Sequence, residues 1–128
     1  MHGITAYAPY VLSVVRIVVA LLFFEHGTAK MFGFPSGTPL PWDFSLHWFS
    51  GVIEFVGGAL LVVGLFSRIS AFVMSGEMAF AYFLSHAPHD FFPLVNRGEG
   101  AILYCFIFLY FVFAGPGPWS IDALIRRR

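Results

Sequence analysis

The sequence predicts an all-α, membrane-embedded four-helix bundle with both termini in the cytoplasm, and three observations lead there. Of its 128 residues, 59% are hydrophobic and only 11% charged, well outside the range of soluble globular proteins. The apolar residues gather in four stretches, each near or just under the roughly 20 residues that cross a hydrocarbon core. Each stretch holds an ionisable residue inside it or at its edge: Arg16, Glu54, Glu77 and Glu99. A charge at the centre of a bilayer costs roughly 2.5 kcal/mol or more, so such a residue faces the bundle interior and has a partner or a task.

The whole chain, 1–128, reads as a single transmembrane domain. The first span covers Tyr10 to His26; basic residues are missing before it and Arg16 interrupts it, so it is expected to remain in the mature protein and not to be cleaved as a signal peptide. Prolines and glycines between Gly33 and Trp42 forbid continuous helix, and Trp42 and Trp48 suit the headgroup zone. The second span is placed at Leu46 to Phe66 and the third at Ile69 to Ser85, with Ser67 and Arg68 as a minimal turn that makes them antiparallel neighbours. A loop with Pro88 and Pro93 leads to the fourth span, Glu99 to Ala114. Gly115-Pro116-Gly117-Pro118 ends that span, and Ser120 caps a short amphipathic helix over about 120–127. Arg68 and the terminal Arg126, Arg127 and Arg128 outnumber Lys30 and Arg97 on the opposite side, which places both termini in the cytoplasm and the terminal arginines among anionic headgroups.

Charge is balanced at seven basic and seven acidic residues, so no basic face is available for nucleic acid. Cys105 is the sole cysteine. The chain therefore forms no internal disulfide, CxxC pair or zinc-thiolate site alone. Its histidines match no compact metal-ligand motif, so no metal site is expected.

At about 1.5 Å rise per residue, Arg16, Glu77 and Glu54 lie roughly 9, 12 and 18 Å from the cytoplasmic ends of their helices, which lets them meet as a mid-membrane trio. Glu54 shares a face with Ser50, Gly51, Gly57 and Gly58, and Arg16 with Ser13, Ala20 and Gly27, the small residues that let transmembrane backbones approach. Glu99 instead shares an outer level with Glu25, His26, Lys30, His47, His86 and Arg97. His26 and Lys30 lie on or near the Arg16 side of the first helix, and Glu25 on the opposite side. The catalytic candidates are therefore Arg16, Glu54, Glu77 and Glu99; the cofactor-binding candidates are His26, Lys30 and Arg16.

Arg16, His26-Gly27-x-x-Lys30, Glu54 with Gly57-Gly58, Gly64-Leu65-x-x-Arg68, Asn96-x-Gly98-Glu99 and the closing Gly115-Pro116-Gly117 with Ser120 and Asp122 together resemble the DoxX family of small four-helix membrane proteins. The resemblance covers essentially the whole chain. It implies a subunit or accessory of a membrane oxidoreductase system in the bacterial inner membrane, with membrane lipid and a redox enzyme or other complex subunits as partners.

Several readings follow for the polar residues. In the first, they line a quinone or small-molecule site: quinone reduction takes protons as well as electrons, the glutamates relay the protons, Arg16 or Lys30 steadies an anionic intermediate, and 17 phenylalanines supply flat apolar walls. In the second, the chain is a non-catalytic anchor or assembly module. In a third, Arg16, Glu54 and Glu77 form an ion network that only fixes helix register, and the surplus carboxylate is protonated or joined by another cation. Bis-histidine haem would need His26 facing His47 or His86 at one depth. Transport would need oligomerisation, for which the glycine faces are suited.

Overall fold

The computed structural model describes residues 3–126; the predicted role of Arg127 and Arg128 lies outside the described residues. The chain is all-helical, with no strand among the described residues. A 3₁₀ turn, Gly3–Tyr7, leads into α1 (Ala8–Phe32), followed by α2 (Leu46–Val63), α3 (Ser67–Ala81), the one-turn α4 (Pro93–Asn96), α5 (Glu99–Ala114) and α6 (Ile121–Arg126).

Helix ends differ from the sequence expectation where polarity and helix propensity part company. α1 does not stop at His26. Glu25, His26 and Lys30 lower hydropathy without breaking a helix, and the stop comes at Gly33, whose left-handed conformation lets its N–H and that of Phe34 return to the Ala29 and Thr28 carbonyls. α2 opens with the Ser45 hydroxyl accepting the Trp48 N–H and ends at left-handed Gly64, before Phe66. The turn into α3 is therefore residues 64–66, and Ser67 and Arg68 are the first residues of α3. Beyond Ala81 the third helix widens into a π turn, Tyr82–His86. The last helix is Ile121–Arg126, with the Ser120 hydroxyl accepting the Ala123 N–H.

α1 packs along α2, α3 along α5, and the short 64–66 turn holds α2 against α3. The α1–α2 seam is glycine-lined: a Cβ at Gly27 would lie 2.6 Å from Phe55 Cα, and one at Gly58 would lie 3.0 Å from Phe24 Cα. Ala20, Phe23, Leu61, Ala71, Met74, Met78, Phe108 and Phe111 form the buried core, with the Phe23 ring 4.8 Å from Phe108 and 5.1 Å from Tyr104. Outward faces carry the exposed side chains of Val11, Val18, Leu22, Phe72, Phe80, Phe106 and Phe113. Helices Gly3–Phe32 and Leu46–Val63 are long and apolar enough to span a membrane, and only 22% and 33% of their apolar windows are buried. Core helices of a soluble protein would be buried over most of that length, whereas lipid accommodates such faces.

Three charged side chains close the end of the molecule where α1 and α3 begin and α2 and α5 finish, called here the terminal end. Arg16, 1% exposed, donates to the Pro116, Val62 and Trp119 carbonyls, at 3.3 Å and 2.9 Å for the latter two. Beside it, the Ser13 hydroxyl accepts the Trp119 N–H and donates to Pro116 O. Arg68 donates to Val112 and Phe113 carbonyls at 2.6 and 2.8 Å, capping the C-terminus of α5 where a cation is favoured. Asp122 accepts the Phe66 and Ser67 N–H groups, each at 2.9 Å, and so caps α3 from a distant part of the chain.

Arg16→Leu strands buried carbonyls and should lower unfolding stability in mild detergent by on the order of 3 kcal/mol, with Arg16→Lys losing less; thermal melts of the purified variants check this. Asp122→Ala should cost about 1 kcal/mol for the lost cap. Burial works to raise the Asp122 pKa, but the Ser67 and Phe66 N–H bonds, with Arg126 nearby, hold it below the ordinary carboxylate value. The cap's contribution is thus full above the pKa of an unfolded aspartate and is lost as pH falls through the lower folded-state value. Melting midpoints followed into acid should decline less steeply for Asp122→Ala than for the native protein.

Candidate functional site

Lys30 sits one turn beyond Gly27 on α1, and Ser50 and Glu54 lie one turn apart on the facing side of α2. Because Gly27 brings the two backbones together, the Lys30 ammonium reaches both partners: Glu54 Oε2 at 2.9 Å and Ser50 Oγ at 3.0 Å. Ser50 in turn donates to the His47 carbonyl at 2.6 Å. The Lys30 stem lies against Gly51, where a Cβ would come within 3.1 Å of Lys30 Cβ. The Lys30 side chain is 26% exposed and that of Glu54 2%, so the pair runs from a wetted edge into the interior.

Glu77, half-buried on α3, brings its carboxyl alongside Glu54, with Lys30 as the cation acting on both. Oε1 of Glu54 and Oε1 of Glu77 are buried without a hydrogen-bond partner among the described residues. Tyr104 on α5 is within electrostatic reach of Glu54 and of Glu25. The cluster therefore holds two carboxyls and one ammonium in a low-dielectric setting, and its two orphaned oxygens are suited to holding a proton.

The other candidates fall elsewhere. Arg16 does not join Glu54 and Glu77, because its donors go to main-chain carbonyls and its α2 partner, Val62, is about 12 Å along the helix from Glu54. The carbonyls of Pro116, Trp119 and Val62 take its Nη donors, while its buried Nε has no partner among the described residues. Glu99 is exposed in the first turn of α5, where a carboxylate favours the helix dipole. His26 is exposed, its ring 6.3 Å from Phe23 and 6.1 Å from Tyr104. His47 and Glu25 are exposed too, and His86 Nδ1 is engaged by the Asn96 carbonyl at 3.0 Å, so the predicted outer cluster is not one gathered site.

Two polar partners carry more than their sequence context suggested. Ser50 was visible only as a small residue on the Glu54 face, yet its hydroxyl positions Lys30. Asn96, 5% exposed, donates to Tyr82 Oη and the Asp90 carbonyl and accepts the Gly98 N–H, tying residues 82–98 together. The sequence signal for such a hub is weak: an Asn followed two residues later by a Gly in a loop.

The DoxX family profile matches residues 11–87. An uncharacterized protein of Haemophilus influenzae is 47% identical over 95% of this chain and 96% of its own. The inner membrane protein YqjF of Escherichia coli is 26% identical over 90% of this chain and 92% of its own. An uncharacterized membrane protein of Mycobacterium tuberculosis is 24% identical over 89% and 80%, respectively. No solved structure matches the chain. With its family profile, its membrane relatives and its lipid-facing helices in agreement, the chain is an integral membrane protein belonging to the DoxX family.

Proposed function

We propose that this protein is a single-domain four-helix bundle of the inner membrane, with its termini on the cytoplasmic face, and that it serves as a subunit or accessory of a membrane oxidoreductase system. In this reading Lys30, Glu54 and Glu77 form a proton-exchanging site. The observation that carries it is the pairing of two neighbouring carboxyls, each with an orphaned buried oxygen, against a single ammonium. A merely structural ion pair would close with one carboxylate; a second beside it is stable when the two share a proton. The cost of keeping such a group within a spanning helix favours a task in proton transfer.

The same residues suit an acceptor oxygen such as a quinone carbonyl. Two of the three Lys30 N–H donors are engaged, by Glu54 and Ser50, which leaves one for a ligand. A bound quinone would supply the electron acceptor; Glu54 and Glu77 would hold the proton beside it, while Lys30 would orient the oxygen. Arg16 takes the role of a structural clamp in this proposal, and Glu99 and His26 that of surface groups. A second reading, as a non-catalytic anchor, is favoured by the exposed Trp42, Phe44, Phe91 and Phe92 on the loops opposite the terminal end and Leu94 on α4, which offer an apolar surface to a larger complex.

Gentle-detergent purification from the native membrane, with mass spectrometry of retained proteins and lipophilic molecules, tests both readings. Glu54→Gln and Glu77→Gln should keep the fold, remove the infrared band of a protonated carboxyl and lose retained quinone or the redox activity of the complex. Retention of a partner enzyme with unchanged activity in both variants would leave the anchor reading. Lys30→Met removes the one cation paired with these carboxyls among the described residues and should lower stability by about 3 kcal/mol, read from the same thermal melts.

A further inference from the structure

We infer that the Lys30, Glu54 and Glu77 site exchanges protons with one side of the membrane only, the side bearing residues 33–45, and is closed toward the terminal end. This rests on the reading of the carboxyl pair as protonatable, and adds to it a direction.

Toward the loop side the polar groups are continuous. Glu77 lies against Glu54, Glu54 bonds Lys30, Lys30 bonds Ser50, and Ser50 bonds the His47 carbonyl. From Glu54 outward exposure rises, from 2% at its side chain to 26% at that of Lys30, then to the half-buried Ser50 and the exposed His47, while Glu77 behind it is itself half-buried. Titratable and charged groups facing the carboxyls are Lys30 from α1 and Tyr104 from α5, with Glu25 beyond Tyr104. All lie at the loop-side half of their helices.

Toward the terminal end the titratable groups stop: between Glu77 and the start of α3 the buried polar side chains are the hydroxyls of Ser75, Ser70 and Ser67, spaced along an otherwise apolar interior. Ala20, Phe23, Leu61, Met74, Phe108 and Phe111 fill the space between the helices there, each no more than 1% exposed. Ser75, on α3 near Glu77, directs its hydroxyl to the Cys105 carbonyl across to α5. The next buried charged side chain of α1 toward the terminal end is Arg16, beyond the exposed Glu25 and His26, and its Nη donors are held by carbonyls. Glu54 and Val62, the α2 residue that Arg16 meets, are about 12 Å apart along the helix, far beyond a single hydrogen bond. Six apolar side chains thus separate the proton-holding pair from the terminal face, and the site cannot act as a through-membrane proton wire in this arrangement. A reaction coupled to it draws its proton from, or releases it to, the loop-side phase.

The test is sided cysteine labelling of the full-length protein in a Cys105→Ala background. Ser50→Cys probes the polar path and Met74→Cys the apolar layer, each exposed to a charged, membrane-impermeant methanethiosulfonate in intact cells and in inverted vesicles. Thr38→Cys and Ile125→Cys mark the two faces. Ser50→Cys should label from the Thr38 side, with loss of labelling from the Ile125 side, and Met74→Cys should label from neither. Labelling of Met74→Cys from the Ile125 side, equal labelling of Ser50→Cys from both sides, or none from either, would overturn the inference. Ser50→Cys is close to isosteric, so its result stands even if Met74→Cys fails to fold. Loss of the protonated-carboxyl band in the glutamine variants is read separately, so a wrong direction and a wrong assignment of the proton site give different results.

Discussion

Lipid offers no hydrogen bonds, so every main-chain group freed at a helix end or a turn within the membrane must find its partner inside the protein. At the terminal end of this molecule that requirement is met by charges. Arg16 serves carbonyls from α2 and from the Gly-Pro turn, Arg68 serves the last carbonyls of α5, and Asp122 serves the first N–H groups of α3. Each has a main-chain duty that neutral side chains of the same length would meet less well, since charged hydrogen bonds are the stronger ones. The helices can be short there, and the turn between α2 and α3 abrupt, because these side chains complete the backbone.

Once those duties are assigned, the charges left within the helix interfaces are Lys30, Glu54 and Glu77. Their meeting depends on backbone proximity more than on electrostatics. Gly27 allows α1 to press against the Glu54–Phe55 peptide, Gly51 makes room for the Lys30 stem, and Ser50 takes a second donor of the ammonium. Charge and small residues therefore belong to one arrangement: a larger side chain at Gly27 would part the helices and with them the Lys30–Glu54 pair.

Much of this was readable in the sequence. Apolar stretches, glycine faces and the glutamates set within those stretches are all visible in residue type and spacing, and they point to helices packed around buried charge. Partner choice was less readable. Arg16 looked like a counter-ion for carboxylates because sequence displays carboxylates and hides carbonyls; its real partners are main-chain groups brought back by a turn some hundred residues away. Hydropathy ends the first span at His26 and leaves Lys30 among the outer groups, whereas the helix runs to Phe32 and gives that lysine a fixed direction toward Glu54. Ser67 and Arg68 read as a turn for a similar reason: polarity marked the boundary, while the left-handed glycine three residues earlier set it.

The Asp122 cap also has an order in time. Its two acceptor oxygens serve N–H groups 56 and 55 residues earlier in the chain, and the same segment delivers the Pro116 and Trp119 carbonyls to Arg16. During synthesis, α1, α2 and α3 leave the ribosome with a guanidinium lacking those acceptors and a helix start lacking its cap. Both needs are answered only once residues 116–122 have emerged. Residues 116–122 thus act as a keystone: the start of α3 and the guanidinium buried in α1 are completed only after that segment has folded back onto them.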